Sequence, residues 1–207
     1  MMFNYCCFLI FSILVVSCLG QTYINFEPFS AGAGCSGASS GTGYSWIVGE
    51  CVEFKGNYYL IKYDADNKTA TFYQWENETC GTGQPASQRT FGIGGCYHVT
   101  WADYGWYYNV NDYAVPSVVV NPGYIPSYGY RETVYAKSDN YCQGDYLMYF
   151  YYTNNTVYKN TLQTFQFYCD QGMPFENVCT MGNCISTTMY ESCEAGSNNL
   201  NNFAITC

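Results

Sequence analysis

The stretch YYLIKYDADNKTATFYQW, residues 58–75, is the clearest structural signal in the chain. Both of its ends are rich in aromatic and β-branched residues, which are enriched in β-strands. The polar segment between them, Asp64 to Lys68, contains the Asp and Asn residues that tolerate turn geometry. The stretch therefore predicts a β-hairpin whose tip carries Asn67.

A similar order of features returns in the second half of the chain. The run YLMYFYY, residues 146–152, follows Cys142, and a polar turn and a second strand-like run lead from it to Cys169. Both polar turns carry a glycosylation sequon, one at Asn67 and one at Asn154. We therefore predict a second hairpin and an internal duplication of a Cys-loop plus hairpin unit. In this duplication Cys51, Cys80 and Cys96 correspond to Cys142, Cys169 and Cys184.

A short cysteine motif, apolar-Gly-x-Cys, occurs at Val48–Cys51, Ile93–Cys96 and Met181–Cys184. Another cysteine, closely followed by glycine, lies fifteen or sixteen residues upstream of each of these cysteines. The recurrence predicts that each such loop is closed by its own disulfide, although ten cysteines allow many pairings. The predicted pairs are Cys35–Cys51, Cys80–Cys96, Cys169–Cys184 and Cys193–Cys207, with Cys142–Cys179 as the remaining pair.

The first twenty residues have the features of a secretory signal peptide. Residues 8–16 form an apolar run that is too short to span a bilayer, and the small residues Ser17, Cys18 and Gly20 follow it. We expect cleavage near the bond between Gly20 and Gln21. The alternative is a bacterial lipoprotein acylated at Cys18, which the absence of Lys and Arg before the apolar run disfavours.

The rest of the chain fits an oxidising, extracellular compartment. Ten of the 13 cysteines follow the predicted signal, an even number that allows five disulfides. The sequons at Asn67, Asn77 and Asn154 predict N-glycosylation. No second apolar run has membrane-spanning length, and the C-terminus lacks the hydrophobic tail of a GPI signal. We therefore expect a secreted protein without a membrane anchor.

The composition disfavours several classes of partner. The net charge is −9 and only 11% of the residues are charged, so the surface repels nucleic-acid phosphates and anionic lipids. No CxxC follows the predicted signal and the chain has one histidine, so we predict neither a metal site nor a cofactor. The segment Asp64-x-Asp66-Asn67 resembles the start of a calcium loop, but its sixth position is not glycine and its twelfth is Trp75.

The fold class follows from periodicity. No amphipathic helical period of useful length follows the signal, and strand-like runs alternate with Gly-, Pro- and Asn-rich turns. This pattern predicts an all-β protein of disulfide-rich antiparallel sheets, arranged as a meander or sandwich. We divide the chain into a signal peptide (1–20), an N-terminal Cys-loop and hairpin half (21–100), an aromatic Pro/Gly-rich connection (101–130) and a C-terminal Cys-loop and hairpin half (131–207).

Few residues have the pattern of a catalytic site. His98 lies in an alternating stretch typical of a strand with its polar side in solvent, and no GxSxG motif is present, so nucleophilic catalysis is not expected. Asp103 and Asp112 flank an aromatic cluster and are the best candidates for a pair of hydrolytic carboxylates. Their alternative role is that of two solvated acids on a loop between strands.

The aromatic residues favour a binding role. They make up 20% of the chain, and Trp101, Trp106, Tyr107 and Tyr108 form the densest group of rings outside the hairpins. Exposed Tyr and Trp stack on sugar rings and contact proteins at little entropic cost. The alternative is that these rings are buried between two sheets.

The cysteine pattern also carries a resemblance. Its residues, Cys35–Gly37, Val48–Cys51, Cys80–Gly83 and Ile93–Cys96, resemble those of small secreted cysteine-rich proteins of social amoebae and similar protists. Most proteins of this type have no assigned activity, so the resemblance implies no catalytic or binding residues.

We therefore expect a secreted, N-glycosylated, disulfide-stabilised protein that binds carbohydrate or an extracellular protein without catalysis. One alternative is a small secreted polysaccharide hydrolase that uses paired carboxylates. The other is a protease inhibitor or defence protein that presents the polar loop Ser36–Gly43.

Overall fold

The structure is a computed structural model that describes residues 20–30, 32–54, 56–76, 80–100, 111–120, 130–154, 156–159, 161–189, 191–196 and 201–207. In these residues the regular structure is entirely β, and all strand pairs within the sheets are antiparallel. Five disulfides cross-link the chain. The predicted all-β, disulfide-rich fold is confirmed.

The described residues form sixteen strands in three sheets. In chain order the strands are β1 Thr22–Phe29, β2 Thr42–Ile47, β3 Cys51–Phe54, β4 Asn57–Asp64, β5 Thr69–Trp75, β6 Ser87–Gly92, β7 Tyr97–Thr100, β8 Asn111–Val120, β9 Arg131–Ala136, β10 Tyr146–Tyr152, β11 Thr156–Lys159, β12 Gln163–Asp170, β13 Met173–Thr180, β14 Asn183–Thr188, β15 Glu191–Ala195 and β16 Asn201–Thr206. Sheet A has eight strands in the order β15-β16-β9-β10-β2-β1-β8-β7. Sheet B is β3-β4-β5-β6 and sheet C is β11-β12-β13-β14.

The two halves of the chain have the same connectivity. The first half places the hairpin β1–β2 in sheet A, builds the four-stranded meander of sheet B, and returns to sheet A as β7 and β8. The second half repeats these steps with β9–β10, sheet C, and β15 and β16. Strands β2 and β10 pair at the centre of sheet A and join the halves. That the two halves arose by duplication stays a prediction.

The correspondence between the halves differs from the one predicted. The first hairpin is confirmed as β4–β5, where Asp64 is paired with Thr69. The predicted second hairpin over residues 146–168 is wrong, because β10 pairs with β2 and β9 while β11 pairs with β12 in another sheet. The predicted connection, residues 101–130, includes β8, which pairs with all eight residues of β1.

All five predicted disulfides are wrong. The bonds join Cys35 to Cys96, Cys51 to Cys80, Cys142 to Cys193, Cys169 to Cys207 and Cys179 to Cys184. The bond from Cys35 to Cys96 and the bond from Cys142 to Cys193 occupy the same place in the two halves. Each ties the loop of the first hairpin to the strand that re-enters sheet A.

The physical reason for these errors is the length of the intervening strands. Between Cys35 and Cys51 the chain runs along β2, whose six residues span about 20 Å at roughly 3.3 Å per residue. Between Cys80 and Cys96 it runs along the six residues of β6. The loops therefore do not close on themselves.

In each apolar-Gly-x-Cys motif the glycine has positive φ: +86° at Gly49, +78° at Gly94 and +84° at Gly182. The motif is a left-handed turn that precedes a strand.

Sheets B and C pack on the same face of sheet A. Trp46 on β2 contacts Phe54 and Tyr59 of sheet B, with ring centroids 5.9 and 5.1 Å apart. Tyr152 on β10 stacks on Phe167 of sheet C, with ring centroids 3.9 Å apart. The pairing of β2 with β10 places the side chains that make these contacts on one side of the sheet. Aromatic rings thus make up much of the core.

The opposite face of sheet A is lined by a second set of tyrosines, Tyr23, Tyr146, Tyr149 and Tyr151, which we call the tyrosine face. All four are buried. The rings of Tyr23 and Tyr146 lie 4.4 Å apart and those of Tyr146 and Tyr149 lie 5.0 Å apart. Desolvation by burial, the largest cause in each case, raises the pKa of Tyr23, Tyr146 and Tyr149 above the usual value.

Candidate interaction surface

Most of the residues predicted as a site lie outside the described part of the chain. Trp101, Asp103, Trp106, Tyr107 and Tyr108 are all outside it. The backbone of Asp112 lies in β8, opposite Val99 of β7. The predicted hydrolytic pair and the predicted aromatic binding group therefore stay predictions.

The described residues offer little for catalysis. The backbone of His98 pairs with that of Tyr113, and the two rings meet edge-to-face at 5.4 Å, as expected for a strand residue. The ten cysteines from Cys35 onward are all in disulfides, so none is a free nucleophile. In the described ranges no group of three or more His, Cys, Asp or Glu side chains is placed to hold a metal ion. None of the described residues belongs to a helix that is long and apolar enough to cross a membrane.

The aromatic run on β10 is buried. Residues 149–152 are each at most 5% exposed, because β10 lies at the centre of sheet A and is covered on both faces. Trp75 lies on the outer face of sheet B, beside Tyr73, but is only 5% exposed. It therefore presents no free ring face for stacking on a sugar.

Exposed apolar side chains concentrate on sheet C. Among the described residues seven large hydrophobic side chains are exposed, and five of these lie on sheet C or its adjoining turns. Met181, Ile185 and Leu162 are the most exposed of the five, at 90, 71 and 69%. The full set on sheet C is Val157, Leu162, Met173, Met181 and Ile185.

Strand β14 carries the most open part of this surface. All six of its residues, Asn183–Thr188, are exposed. It is an edge strand that pairs with β13 on one side. The turn that joins β13 to β14 consists of Met181 and Gly182, both with positive φ, the geometry of a tight type I′ hairpin. From the sequence only the motif Met181–Cys184 was recognised here, and not the strand that follows it, although this strand is a short β-prone run without charge.

A disulfide fixes the geometry of this hairpin. Cys179 and Cys184 are directly opposite each other on β13 and β14 and are bonded, so the two strands are covalently held in register. On the side of sheet C that faces the core, Val178 is opposite Ile185 and Glu176 is opposite Thr187. Burial raises the pKa of the Glu176 carboxyl above its usual value.

The other side of sheet C is polar and partly aromatic. Tyr168 and Phe175 stack with ring centroids 5.3 Å apart and an interplanar angle of 14°. The Tyr168 hydroxyl lies 2.8 Å from the Ser186 hydroxyl, which links β12 to β14 across β13. The arm formed by β13 and β14 is therefore cross-linked by a disulfide and presents Met181 and Ile185 to solvent.

Comparison with known proteins identifies a family. A family model described as "Counting factor-associated protein A/B/C" matches residues 1–207. The match agrees with the resemblance to proteins of social amoebae. No curated protein and no solved structure matches the chain.

Proposed function

The chain belongs to the counting factor-associated protein A/B/C family, and from that premise we propose that it is a secreted, N-glycosylated, non-catalytic protein that binds an extracellular protein through sheet C. The observation that carries the proposal is the concentration of exposed apolar side chains on that sheet. Leu162 and Met181 adjoin the paired residues Gln163 and Thr180 at one end of this sheet, and exposed apolar clusters on soluble proteins mark interaction sites. The family description, which names an association with a factor, is in keeping with a protein partner.

The chemistry of the surface favours a protein over a carbohydrate. Sugars are recognised by flat aromatic rings, whereas Met181, Ile185 and Leu162 are flexible or branched side chains. Methionine fits irregular apolar surfaces because it is unbranched and polarizable. Trp75, the tryptophan on the outer face of sheet B, is buried and presents no ring face to a sugar.

Five disulfides support an extracellular location, because disulfides persist in oxidising compartments. The asparagines of two sequons, Asn67 and Asn154, are among the described residues, and both are exposed, as a glycan requires. The inhibitor alternative is less well supported, since Cys35 is bonded to Cys96 and the loop Ser36–Gly43 is not closed by a disulfide of its own.

To test the proposal, the tagged protein is expressed in social amoeba cells, the organisms of the matched family, and purified from the medium. The test variant replaces Met181, Ile185 and Leu162 by serine. The matched control replaces Val120 and Tyr141, exposed apolar residues outside sheet C, by serine. Proteins that co-purify with the wild type should be lost from the test variant and kept by the control. Undiminished co-purification with the test variant would refute the role of sheet C.

Two further experiments test for polysaccharide hydrolysis and for secretion. The purified protein is incubated with polysaccharides, and release of reducing sugar that Asp103→Asn or Asp112→Asn abolishes would support a hydrolase instead. Mass spectrometry of the secreted chain should find an N-terminus at Gln21 and glycans removable by an N-glycosidase. A protein retained inside the cell with an intact N-terminus would contradict secretion.

A further inference from the structure

Strand β14 differs from the other sheet edges in having none of the features that block edge-to-edge pairing. Natural edges are protected by short strands, charged side chains, proline or bulges. β14 has six residues, Asn-Cys-Ile-Ser-Thr-Thr, without charge or proline, and its pairing with β13 is regular. Of the other edges in the described structure, β3, β7 and β11 have four residues each, β6 carries Arg89, and β15 carries Glu194 and a bulge.

The backbone groups of β14 that face outward follow from the hairpin geometry. In a two-residue hairpin the residues that flank the turn, Thr180 and Asn183, exchange both backbone hydrogen bonds, and the hydrogen-bonded pairs alternate from there. The Met189 amide donates to the Pro174 carbonyl at 2.9 Å, which continues the same alternation. The N–H and C=O groups of Cys184, Ser186 and Thr188 therefore point away from β13. Among the described residues no strand pairs with them.

We propose that β14 pairs antiparallel with β14 of a second copy of this chain, about a two-fold axis at Ser186. This register opposes Ser186 to its own equivalent and Cys184 to Thr188 of the other copy. All three outward-facing residues then lie in hydrogen-bonded pairs, each of which exchanges two N–H···O bonds. The two four-stranded C sheets become one continuous eight-stranded sheet. The inference rests on the proposed function, because it names one partner of sheet C.

The side chains are compatible with this self-pairing. On the side that faces the core Ile185 meets Thr187 of the other copy, so an exposed apolar side chain is covered. On the other side the pairs contain only Ser, Thr and the disulfide-bonded Cys184. No charged residue lies on β14, so the joint brings no like charges into direct opposition.

The molecule already contains a joint of the same kind. Sheet A is formed where β2 of one half pairs antiparallel with β10 of the other, which joins two four-stranded units into eight strands. The opposing effect is the net charge of −9 on each copy, which repels at long range. Salt screens this repulsion, so the dimer should tighten as ionic strength rises.

The test measures the mass of the purified glycosylated protein by sedimentation velocity and light scattering over a range of concentrations. The wild type should form dimers, more completely at high salt. Ser186→Lys and Ser186→Glu each place like charges face to face at the two-fold axis and should weaken dimerisation at least tenfold. An equimolar mixture of the two variants should dimerise again, because the axis then brings Lys beside Glu.

A backbone variant tests the edge independently of charge. Ser186→Pro removes an N–H that points away from β13, so it should abolish the dimer and preserve the fold. Gln88→Pro is the matched control, because Gln88 is the corresponding outward-facing residue on the edge strand β6. Circular dichroism verifies folding of every variant.

The outcomes separate the inference from the proposed function. A wild type that is monomeric at all concentrations, or a dimer unaffected by Ser186→Pro, overturns the inference. If such a protein still captures another protein through Met181, Ile185 and Leu162, the proposed function stands. Failure of the charge mixture to restore the dimer, when each variant alone is monomeric, overturns the register at Ser186.

Discussion

Replacing Gly43 by alanine tests the joint between β2 and β10, on which the union of the two halves depends. Gly43 is paired with Tyr151, and a Cβ atom at this position would overlap the Tyr151 ring. The ring has no room to withdraw, because Tyr151 is 1% exposed and is packed beside Tyr149, with ring centroids 6.1 Å apart. Either the ring must leave its site or the two central strands must separate.

The magnitude follows from two opposing effects. Overpacking of a buried site typically costs about 1–3 kcal/mol, and the overlap here involves the rigid ring itself, so the upper part of that range applies. Alanine restricts the unfolded chain more than glycine does and returns about 0.4–1 kcal/mol. The expected net loss in the free energy of unfolding is about 2 kcal/mol. For a chain of this size that corresponds to a fall in Tm of roughly 4–8 °C.

The assay is urea unfolding at neutral pH with the disulfides intact, followed by circular dichroism. Gly32→Ala is the matched control: nothing lies within 4 Å of a Cβ at Gly32, so alanine there should leave the free energy of unfolding unchanged or raise it by up to about 1 kcal/mol. The decisive measurement repeats Gly43→Ala in a Tyr151→Leu background. If the ring is the cause, the alanine should cost at least about 1 kcal/mol less there. An equal cost in both backgrounds would refute the reasoning.

Other measurements test the cross-links and the tyrosine face. Non-reducing peptide mapping should recover Cys51 linked to Cys80, and a peptide in which Cys80 is linked to Cys96 would contradict the structure. Replacing both cysteines of the Cys169–Cys207 bond by alanine should lower the free energy of unfolding by about 2 kcal/mol more than the same change at Cys179–Cys184. The reason is that a bond spanning 38 residues restricts the unfolded chain more than one spanning 5 residues. Equal losses of unfolding free energy at the two bonds would contradict this reasoning. Burial raises the pKa of Tyr23, Tyr146 and Tyr149; below about pH 10 these side chains are neutral in both the folded and the unfolded chain, so the fold keeps its full stability. Above that pH the free energy of unfolding should fall by up to about 1.4 kcal/mol per pH unit for each such tyrosine. The ionisation of these tyrosines, followed by the ultraviolet absorbance of tyrosinate, should coincide with unfolding. Ionisation that precedes unfolding would count against burial as the cause of the raised pKa values.

Local features could be predicted from the sequence, because they depend on neighbouring residues. The hairpin β4–β5 was predicted because its two strands and its turn are adjacent in the sequence and because its Asp and Asn residues favour a turn. The Asp64 carboxylate accepts hydrogen bonds from the amides of Asp66 and Asn67 at 3.0 Å each. These bonds lower the pKa of Asp64.

Long-range features could not be predicted in the same way. The run over residues 146–152 has large apolar side chains on both faces, which is also the pattern of a central strand covered on both sides. Its partners, β2 and β9, are set by the packing of whole sheets and not by the polar turn that follows it. The disulfides were missed for a related reason: equal spacing along the chain does not imply proximity when a strand of about 20 Å intervenes.

The asymmetry between the halves bears on where the function lies. Both halves have one connectivity, yet their meanders end differently. In sheet B the segment between β5 and β6 contains Cys80, which is bonded to Cys51 on β3. In sheet C the connection between β13 and β14 is reduced to Met181 and Gly182, and Cys179–Cys184 reinforces the hairpin. Stability alone would not select a bare edge and five exposed apolar side chains, because both favour unwanted association. The second half therefore exposes at β14 a surface that favours association, and the binding role that we propose for sheet C would explain that exposure.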